Sequence, residues 1–391
     1  MIEAPEIDLI YPLTDGDIAL NNLESARRSS WSRFWHDPLQ PGIAECIVEQ
    51  EQLTTQFVGD MGALDRLDSL VQCLDRVEAE SPRITLIRAQ IASMAHRFAE
   101  ANRHLEEIGD WGELSDAANR LSLSIYQACG TDLDTVLKTR QRMAMKSGRL
   151  EDLVPLGALL ADLGEFDDAD RTYLHALKQY KDTSPFAVAW VFFQLGVLWG
   201  ELVPECRLTQ AACWYQQAIQ YLPGYVKARV HLAEIYLRND LVEEAEELLI
   251  PAARSGDPEV NWHLSEALAA RGKLGESQER VQAARTGFEV LLKKHLLAFA
   301  DHGAEFYAGS GNDPQRAFEL AKINVANRPT LRAFKQLNET AILAGESEHA
   351  AKALTAARSR WGTTNAFRLS PLADICKDKP GSEVASYEDR P

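Results

Sequence analysis

The feature that most constrains this chain is a pattern that returns about every 34 residues. Each copy places a small residue first, a residue that is usually larger four positions later, and a small residue three positions after that. The copies are Ala169, Tyr173 and Ala176; Ala211, Tyr215 and Ala218; Ala245, Leu249 and Ala252; Ser277, Val281 and Ala284; and Ala350, Leu354 and Ala357. Such a period predicts stacked units, each of which buries its apolar face against its neighbours.

Each unit is predicted to contain two helices. The stretch WYQQAIQYLPGYVKARVHLAEIYL (214–237) is periodic on both sides of Pro223, which ends the first helix. A second pattern, a leucine followed by a small or short residue, marks the preceding helices at Leu156-Gly157, Leu195-Gly196, Leu232-Ala233, Leu264-Ser265 and Leu337-Asn338. Sustained apolar/polar alternation is absent, and Ala, Leu, Glu, Gln and Arg dominate the periodic segments. The sequence therefore predicts helices rather than strands.

This pattern resembles the tetratricopeptide repeat, a helix–turn–helix unit of about 34 residues. The resemblance implies an all-α fold, a right-handed superhelical solenoid of stacked antiparallel helix pairs. It covers residues 42–361, about nine pairs at that period. The units at 150–184, 186–224, 225–257 and 330–361 match well, and the others are degenerate.

Both ends lie outside the repeats. Residues 1–41 form a predicted arm with one aromatic helix, in which Trp31, Phe34 and Trp35 share a face. That face either caps the apolar end of the solenoid or docks a partner. Residues 362–391 are rich in Pro, Ser and charged residues, so we expect a mobile tail whose first turn packs on the last repeat.

The net charge of −17 at pH 7 argues against nucleic acid and anionic membrane surfaces as partners and mildly favours a basic or apolar one. Six cysteines without a CxxC pair predict free thiols in a reducing compartment. The acidic N-terminus does not resemble a signal peptide, and no stretch is expected to reach the length of a membrane span. We therefore expect a cytoplasmic protein; a periplasmic or secreted one stays open, because a removed signal would leave the same sequence.

The sequence contains no recognisable catalytic or phosphate-binding motif, which predicts a non-enzyme without a cofactor. His295, Asp301, His302 and Glu305 lie close together in sequence, but a His/Glu helix face is usually solvated or hydrogen-bonded, so we predict no metal site.

In proteins of this family the first helices of successive pairs line a concave groove that commonly holds a peptide or a partner's helix. The resemblance implies groove positions at Trp190, Phe193, Val197, Val230, Glu234, Arg238, Trp262, Glu266, Ala270, Lys335 and Glu339. The aromatic residues form either a binding floor or packing between helices. The three glutamates form either an acidic line for a Lys- or Arg-bearing ligand or ordinary soluble helix surface.

One family subtype grips a C-terminal carboxylate with Lys, Asn and Arg. The matching positions here carry Val154 and Ala158, or Val230 and Glu234, which cannot do so. The leading hypothesis is therefore a non-catalytic scaffold or adaptor that binds a partner segment in its groove. A peptide-sensing regulatory receptor and an accessory subunit of an enzyme complex are the alternatives, and the sequence predicts no oligomeric state.

Overall fold

The computed structural model describes residues 9–77, 81–108 and 112–377. Throughout these ranges the chain is helical and has no β-strand, which confirms the predicted all-α fold. The helices are α1 Gly16–His36, α2 Ile43–Leu53, α3 Gly62–Val77, α4 Pro82–Met94, α5 Phe98–Ile108, α6 Ser115–Ala128, α7 Leu133–Ser147, α8 Leu150–Leu163, α9 Phe166–Lys178, α10 Pro185–Val197, α11 Leu208–Tyr221, α12 Val226–Arg238, α13 Val242–Leu249, α14 Pro258–Ala270, α15 Leu274–Ala308, α16 Pro314–Asn327, α17 Leu331–Leu343, α18 Ser347–Trp361, α19 Asn365–Arg368 and α20 Pro371–Lys377. Thr54–Val58 and Leu198–Leu202 add π-helical turns to α2 and α10.

Consecutive helices pack in pairs, and the repeated small residues lie where the two helices of a pair meet. A Cβ atom on Gly157 would lie 2.7 Å from the ring of Tyr173, and one on Gly196 would collide with the ring of Tyr215. Both tyrosines are fully buried. The small residues therefore recur because the two helices of each pair cross closely at these positions, as predicted.

One pair is joined to the next without a turn. Helix α15 runs from Leu274 to Ala308 and contains the second helix of one unit and the first helix of the following unit. His295 marks the junction, because its backbone leaves the helical region there (φ −132°, ψ 52°). Residues 274–294 and 296–308 therefore serve different repeats, which explains the irregular period in this part of the sequence.

The N-terminal helix packs on the repeats at both of its ends. Phe34 is fully buried in a cluster with residues of α2, α3 and α4. At the other end, a Cβ atom on Gly16 would lie 2.5 Å from the carbonyl oxygen of Tyr221, and Thr14 N donates to the carbonyl oxygen of Thr183 at 2.7 Å. Helix α1 thus lies against both the first repeats and the α10–α12 region.

Part of the predicted C-terminal tail is helical. Residues 365–368 and 371–377 form α19 and α20, and Phe367 and Leu372 are buried with Trp361. Asn365 Nδ2 also donates to Glu165 Oε1 at 2.9 Å. Residues 378–391, which complete the predicted tail, lie outside the described residues.

The solenoid returns onto itself after about six repeats. Lys294 Nζ lies 2.5 Å from Asp65 Oδ2, and Asn327 Nδ2 donates to the carbonyl oxygen of His96 at 3.0 Å. Further contacts join His96 to Leu297, Arg360 to Cys129 and Gly130, and Asn365 to Glu165. Their partners are 200 to 231 residues apart in the chain. Later repeats therefore lie directly on earlier ones.

The expectation that no stretch reaches the length of a membrane span is wrong. Pro185–Leu202, formed by α10 and its π-helical turn, is 18 residues long and apolar enough to span a bilayer. However, 61% of it is buried inside the protein. Its apolar character is explained by its position at the centre of the largest hydrophobic cluster.

Candidate functional site

The first helices of the later pairs carry charged residues in one register. In α12 these residues are Lys227, His231 and Glu234, and in α14 the residues 32 positions later are Glu259, His263 and Glu266. Residues 296–308 continue the register with His302 and Glu305, and α17 continues it with Arg332, Gln336 and Glu339. These residues define the inner surface discussed below.

A continuous His–Glu ladder runs along this surface. It consists of Glu201, His231, Glu234, His263 and Glu266. His231 Nδ1 lies 2.8 Å from Glu201 Oε1 and 3.8 Å from Glu234 Oε2. His263 Nε2 lies 3.0 Å from Glu234 Oε1, and His263 Nδ1 lies 2.9 Å from Glu266 Oε2. Each histidine therefore lies between two carboxylates that come from different structural elements.

A second group of charges lies beside the ladder. Lys227 Nζ is 2.6 Å from Glu259 Oε2 and 3.2 Å from Asp257 Oδ2. His302 Nδ1 is 2.5 Å from Glu259 Oε1, and Asp301 pairs with Arg328. These contacts tie α12, α14, α15 and the α16–α17 junction together.

Arg332 connects the two sides of the inner surface. Its Nη1 lies 3.4 Å from Glu201 Oε2 and its Nη2 lies 3.5 Å from Glu305 Oε1. Glu201 follows α10, whereas Arg332 belongs to α17, which is several pairs later. Arg332 therefore bridges the π-helical turn after α10 and residues 296–308 at this level.

The pKa shifts along the ladder favour charged forms. Burial opposes protonation of His263, but Glu234 and Glu266 outweigh it and raise its pKa to about 10. Burial likewise opposes ionisation of Glu201, but His231 and Arg332 hold its pKa at about 2. For His302, Asp301 and Glu259 overcome burial and raise the pKa to about 9. Burial opposes protonation of His231 too, but Glu201 and Glu234 outweigh it and raise its pKa.

Nearby cations offset the burial of other carboxylates near this surface less completely. Burial raises the pKa of Glu305 despite Arg332. Burial also raises the pKa of Asp257, which lies beside Glu259. An additional cation near these groups would be electrostatically favourable.

The structure separates the three aromatic residues of the predicted groove. Trp190 stacks on Phe193 with ring centroids 5.7 Å apart, and Phe193 is buried against Tyr215 and Tyr225. Trp262 instead packs on Phe306 and Phe288 and donates its indole N–H to Glu266 Oε1 at 2.7 Å. The structure therefore shows them in two clusters that hold helices together, and only Trp190 and Trp262 are partly exposed.

The other predicted groove residues differ in accessibility. Val230 is fully buried, and Val197 is partly buried against the core. Glu234 and Glu266 lie together on the ladder, while Glu339 lies 3.9 Å from Lys335 on the exposed part of α17. Arg238, Ala270, Lys335 and Glu339 are exposed. The role of all these positions in binding stays a prediction.

The N-terminal aromatic residues have three different environments. Phe34 is buried, whereas Trp35 is 60% exposed and stacks on Trp31 at 5.7 Å. Trp31 Nε1 donates to Glu51 Oε1 at 2.6 Å, and Glu51 is fully buried. Phe34 and Trp31 thus serve the packing of the first helices, and Trp35 alone is presented to solvent.

The sequence cluster considered for a metal is divided by the fold. His295 contacts Asp65 Oδ1 at 3.1 Å, on a different side from His302, which contacts Glu259. Within residues 9–77, 81–108 and 112–377 no group of three or more His, Cys, Asp or Glu residues is arranged to hold a metal ion.

Sequence reasoning missed most of the ladder. It singled out Glu234, Glu266, His302 and Glu305 but not His231, His263 or Lys227. A signal was available, since His-x-x-Glu occurs in three successive first helices as HLAE (231–234), HLSE (263–266) and HGAE (302–305). Residues three apart share a helix face, so the repetition predicts a charged stripe.

Consecutive helix pairs with repeated small residues at their crossings define a helical-repeat solenoid. The family model described as "Tetratricopeptide repeat" matches residues 207–261. Residues 207–261 are therefore similar to the tetratricopeptide repeat, and proteins that contain this repeat generally mediate protein–protein interactions.

Comparison with solved structures gives distant matches. A crystal structure of the APC/C hetero-tetramer Cut9–Hcn1 matches at 13% identity and a TM-score of 0.40 over 87% of this chain, which spans 63% of the matched chain. The C-terminal part of a TPR repeat-containing protein from Cytophaga hutchinsonii matches at 14% identity and a TM-score of 0.31, with 75% and 98% covered. No curated protein sequence matches.

Proposed function

We propose that this protein is a non-catalytic interaction scaffold that holds a segment of a partner protein against its inner surface. The observation that carries the proposal is the register of charged residues on successive first helices of the helical-repeat solenoid, in which Glu234, Glu266 and Glu305 are partly exposed and Glu339 is exposed. Such a surface is fixed before binding, so little ordering of the scaffold opposes association.

The charges of the inner surface support a partner segment that bears Lys or Arg. Within the ladder the carboxylates are already paired with histidines, but the negative charge of Glu305 is incompletely neutralised by Arg332. Glu339 and Lys335 continue the same face of α17 beyond Arg332 and are exposed. A basic side chain approaching Glu339 and Glu305 would therefore gain more than an acidic one. All six cysteines are free, which supports placing this function in a reducing compartment such as the cytoplasm.

Site-specific photo-crosslinking in the native cell tests the proposal. A photoreactive residue at Lys335 probes the inner surface, and the same residue at Lys352 is the matched control. Lys352 is an exposed lysine on α18, the second helix of the same pair, where it lies 2.6 Å from Glu348.

We expect a defined protein adduct from position 335 that is absent from position 352. The variant E339K should remove this adduct, because it replaces the acidic group next to the probe while the helix stays intact. Adducts from position 352 alone, or an adduct from 335 that is unchanged in E339K, would contradict the proposal.

A further inference from the structure

Helix α7 carries a concentrated positive charge in an acidic protein. Between Asp134 and Glu151 the chain has five basic residues and no acidic one, whereas the whole protein has a net charge of −17. Four of the five, Lys138, Arg142, Lys146 and Arg149, are exposed.

The exposed residues of α7 form one continuous face. Lys138, Gln141, Arg142, Met145 and Lys146 are spaced three or four residues apart and are all exposed or nearly so, with Met145 88% exposed. We call them the cationic face. The opposite side of the helix, with Val136, Arg140 and Ala144, is buried.

The cationic face is not explained by the stability of the fold. In the described part of the chain, none of its three basic residues forms an ion pair with a carboxylate. Lys138 and Arg142, and also Arg142 and Lys146, are four residues apart, a spacing at which like charges on a helix repel. Among the described residues, Arg142 donates only to groups of its own helix, Thr139 Oγ1 at 3.2 Å and the carbonyl oxygen of Lys138 at 3.4 Å.

A buried cation lies directly behind this face. Arg140 is 6% exposed, and its Nη2 donates to Ser124 Oγ at 3.4 Å rather than to a carboxylate. The neighbouring carboxylate, Asp152, is already paired with Arg120. Burial accordingly lowers the pKa of Arg140 to about 10, although it stays charged at neutral pH. The local potential at α7 is therefore more positive than its exposed residues alone produce.

We propose that the cationic face of α7 is a docking surface for a short acidic segment of a partner protein. Carboxylates from such a segment would relieve the repulsion along the helix, and Met145 offers an apolar contact between the charges. A short segment experiences mainly charges within a Debye length of about 8–10 Å. A long polyanion such as nucleic acid would instead experience the acidic remainder of the molecule.

This surface is distinct from the inner surface. Helix α7 is the second helix of its pair, whereas the inner surface is formed by first helices. The proposal therefore does not depend on the function proposed above, and the partner segment that it requires is acidic rather than basic.

Fluorescence anisotropy with defined probes tests the proposal on the full chain. The probe is a labelled helical peptide with Glu at every fourth position and two leucines on the same face, and its control has Gln in place of every Glu. Labelled single-stranded DNA and vesicles containing phosphatidylserine are the competing anions. The test variant is K138E/R142E/K146E, and R142Q serves as a milder second variant.

The matched control variant is K178E/K181E/R254E, which changes the net charge by the same amount at exposed lysines and an arginine of other repeats. We expect the Glu peptide to bind the native protein at low salt and to bind the test variant at least about tenfold more weakly, with a smaller loss in R142Q. The control variant should change affinity by less than about twofold, and added salt should weaken binding.

Four results would overturn the proposal: no binding of the Glu peptide, equal binding of the Gln peptide, an equal loss in the control variant, or tighter α7-dependent binding of DNA or vesicles. Circular dichroism spectra that coincide for all variants establish that the cationic face, and not the fold, has been changed.

Discussion

Replacing His263 with Gln removes a histidine cation of the His–Glu ladder while keeping a polar side chain of similar size. His263 is 4% exposed and lies between Glu234 and Glu266. In H263Q the two carboxylates would face each other across a neutral amide. We expect this change to be among the most destabilising single substitutions on the inner surface, because it removes a buried cation that lies within 3.0 Å of both carboxylates.

The size of the expected loss in unfolding free energy follows from the pKa of His263, which rises from 6.5 to about 10 in the folded protein. Each pKa unit corresponds to about 1.4 kcal/mol. Because the folded state has the higher pKa, protonation stabilises it fully below pH 6.5, and this stabilisation disappears as the pH rises through about 10. At pH 7 the contribution is about 4 kcal/mol, within the range of about 3–5 kcal/mol for removing one partner from a buried ion pair.

Urea denaturation followed by circular dichroism measures the effect. H263Q should lower the free energy of unfolding by about 3–4 kcal/mol at pH 7 and by less than about 1 kcal/mol at pH 10. The control is H349Q, because His349 also lies 3.2 Å from a glutamate three residues away but is exposed. H349Q should change the free energy of unfolding by no more than about 0.5 kcal/mol. A loss in H263Q that is the same at both pH values would refute the electrostatic reasoning.

Two further predictions concern packing. G196A should lower the free energy of unfolding by about 1–3 kcal/mol, because the new methyl group would collide with the buried ring of Tyr215. G275A should instead raise the free energy of unfolding by about 0.4–1 kcal/mol, because its methyl group would meet no atom within 4 Å. Urea denaturation of both variants would show whether the two effects have opposite signs. W31F should lower the free energy of unfolding by about 1–3 kcal/mol, because it removes a hydrogen bond to a fully buried carboxylate. W35A should leave the denaturation midpoint nearly unchanged, because Trp35 is exposed. Equal losses in W31F and W35A would contradict the different roles assigned to the two indoles.

The helical architecture could be predicted because its signals are local. Gly157 and Gly196 lie where helix crossings leave no room for a side chain, and Pro223 stands where a helix ends. Each of these features depends on residues within one repeat, so periodicity alone reveals it. The same locality explains why the apolar run at 185–202 could be misjudged, since its burial depends on the repeats around it.

The inner surface was harder to predict because its geometry depends on distant residues. Glu201 follows α10 and meets Arg332 of α17, and nothing in either local sequence indicates this contact. Phe193 and Val230 have the helical phase of groove residues, yet both are buried. The position of a residue in the helical period indicates which side of the helix it occupies, but the curvature of the whole solenoid determines how far that side is exposed to solvent.

The contacts that join residues 200 to 231 positions apart have a consequence for folding. An open repeat array behaves as a one-dimensional chain of neighbours, so its ends can fray or be removed with little effect elsewhere. Here Asp65 forms an ion pair with Lys294, and the carbonyl oxygen of His96 accepts a hydrogen bond from Asn327. These contacts raise the contact order and couple the first repeats to the last ones, which favours slower folding and a more cooperative unfolding transition. Deleting α17–α18 removes the hydrogen bonds from Arg360 to the carbonyl oxygens of Cys129 and Gly130, and it should therefore increase hydrogen exchange in α6 and α7, although those helices lie far away in the sequence.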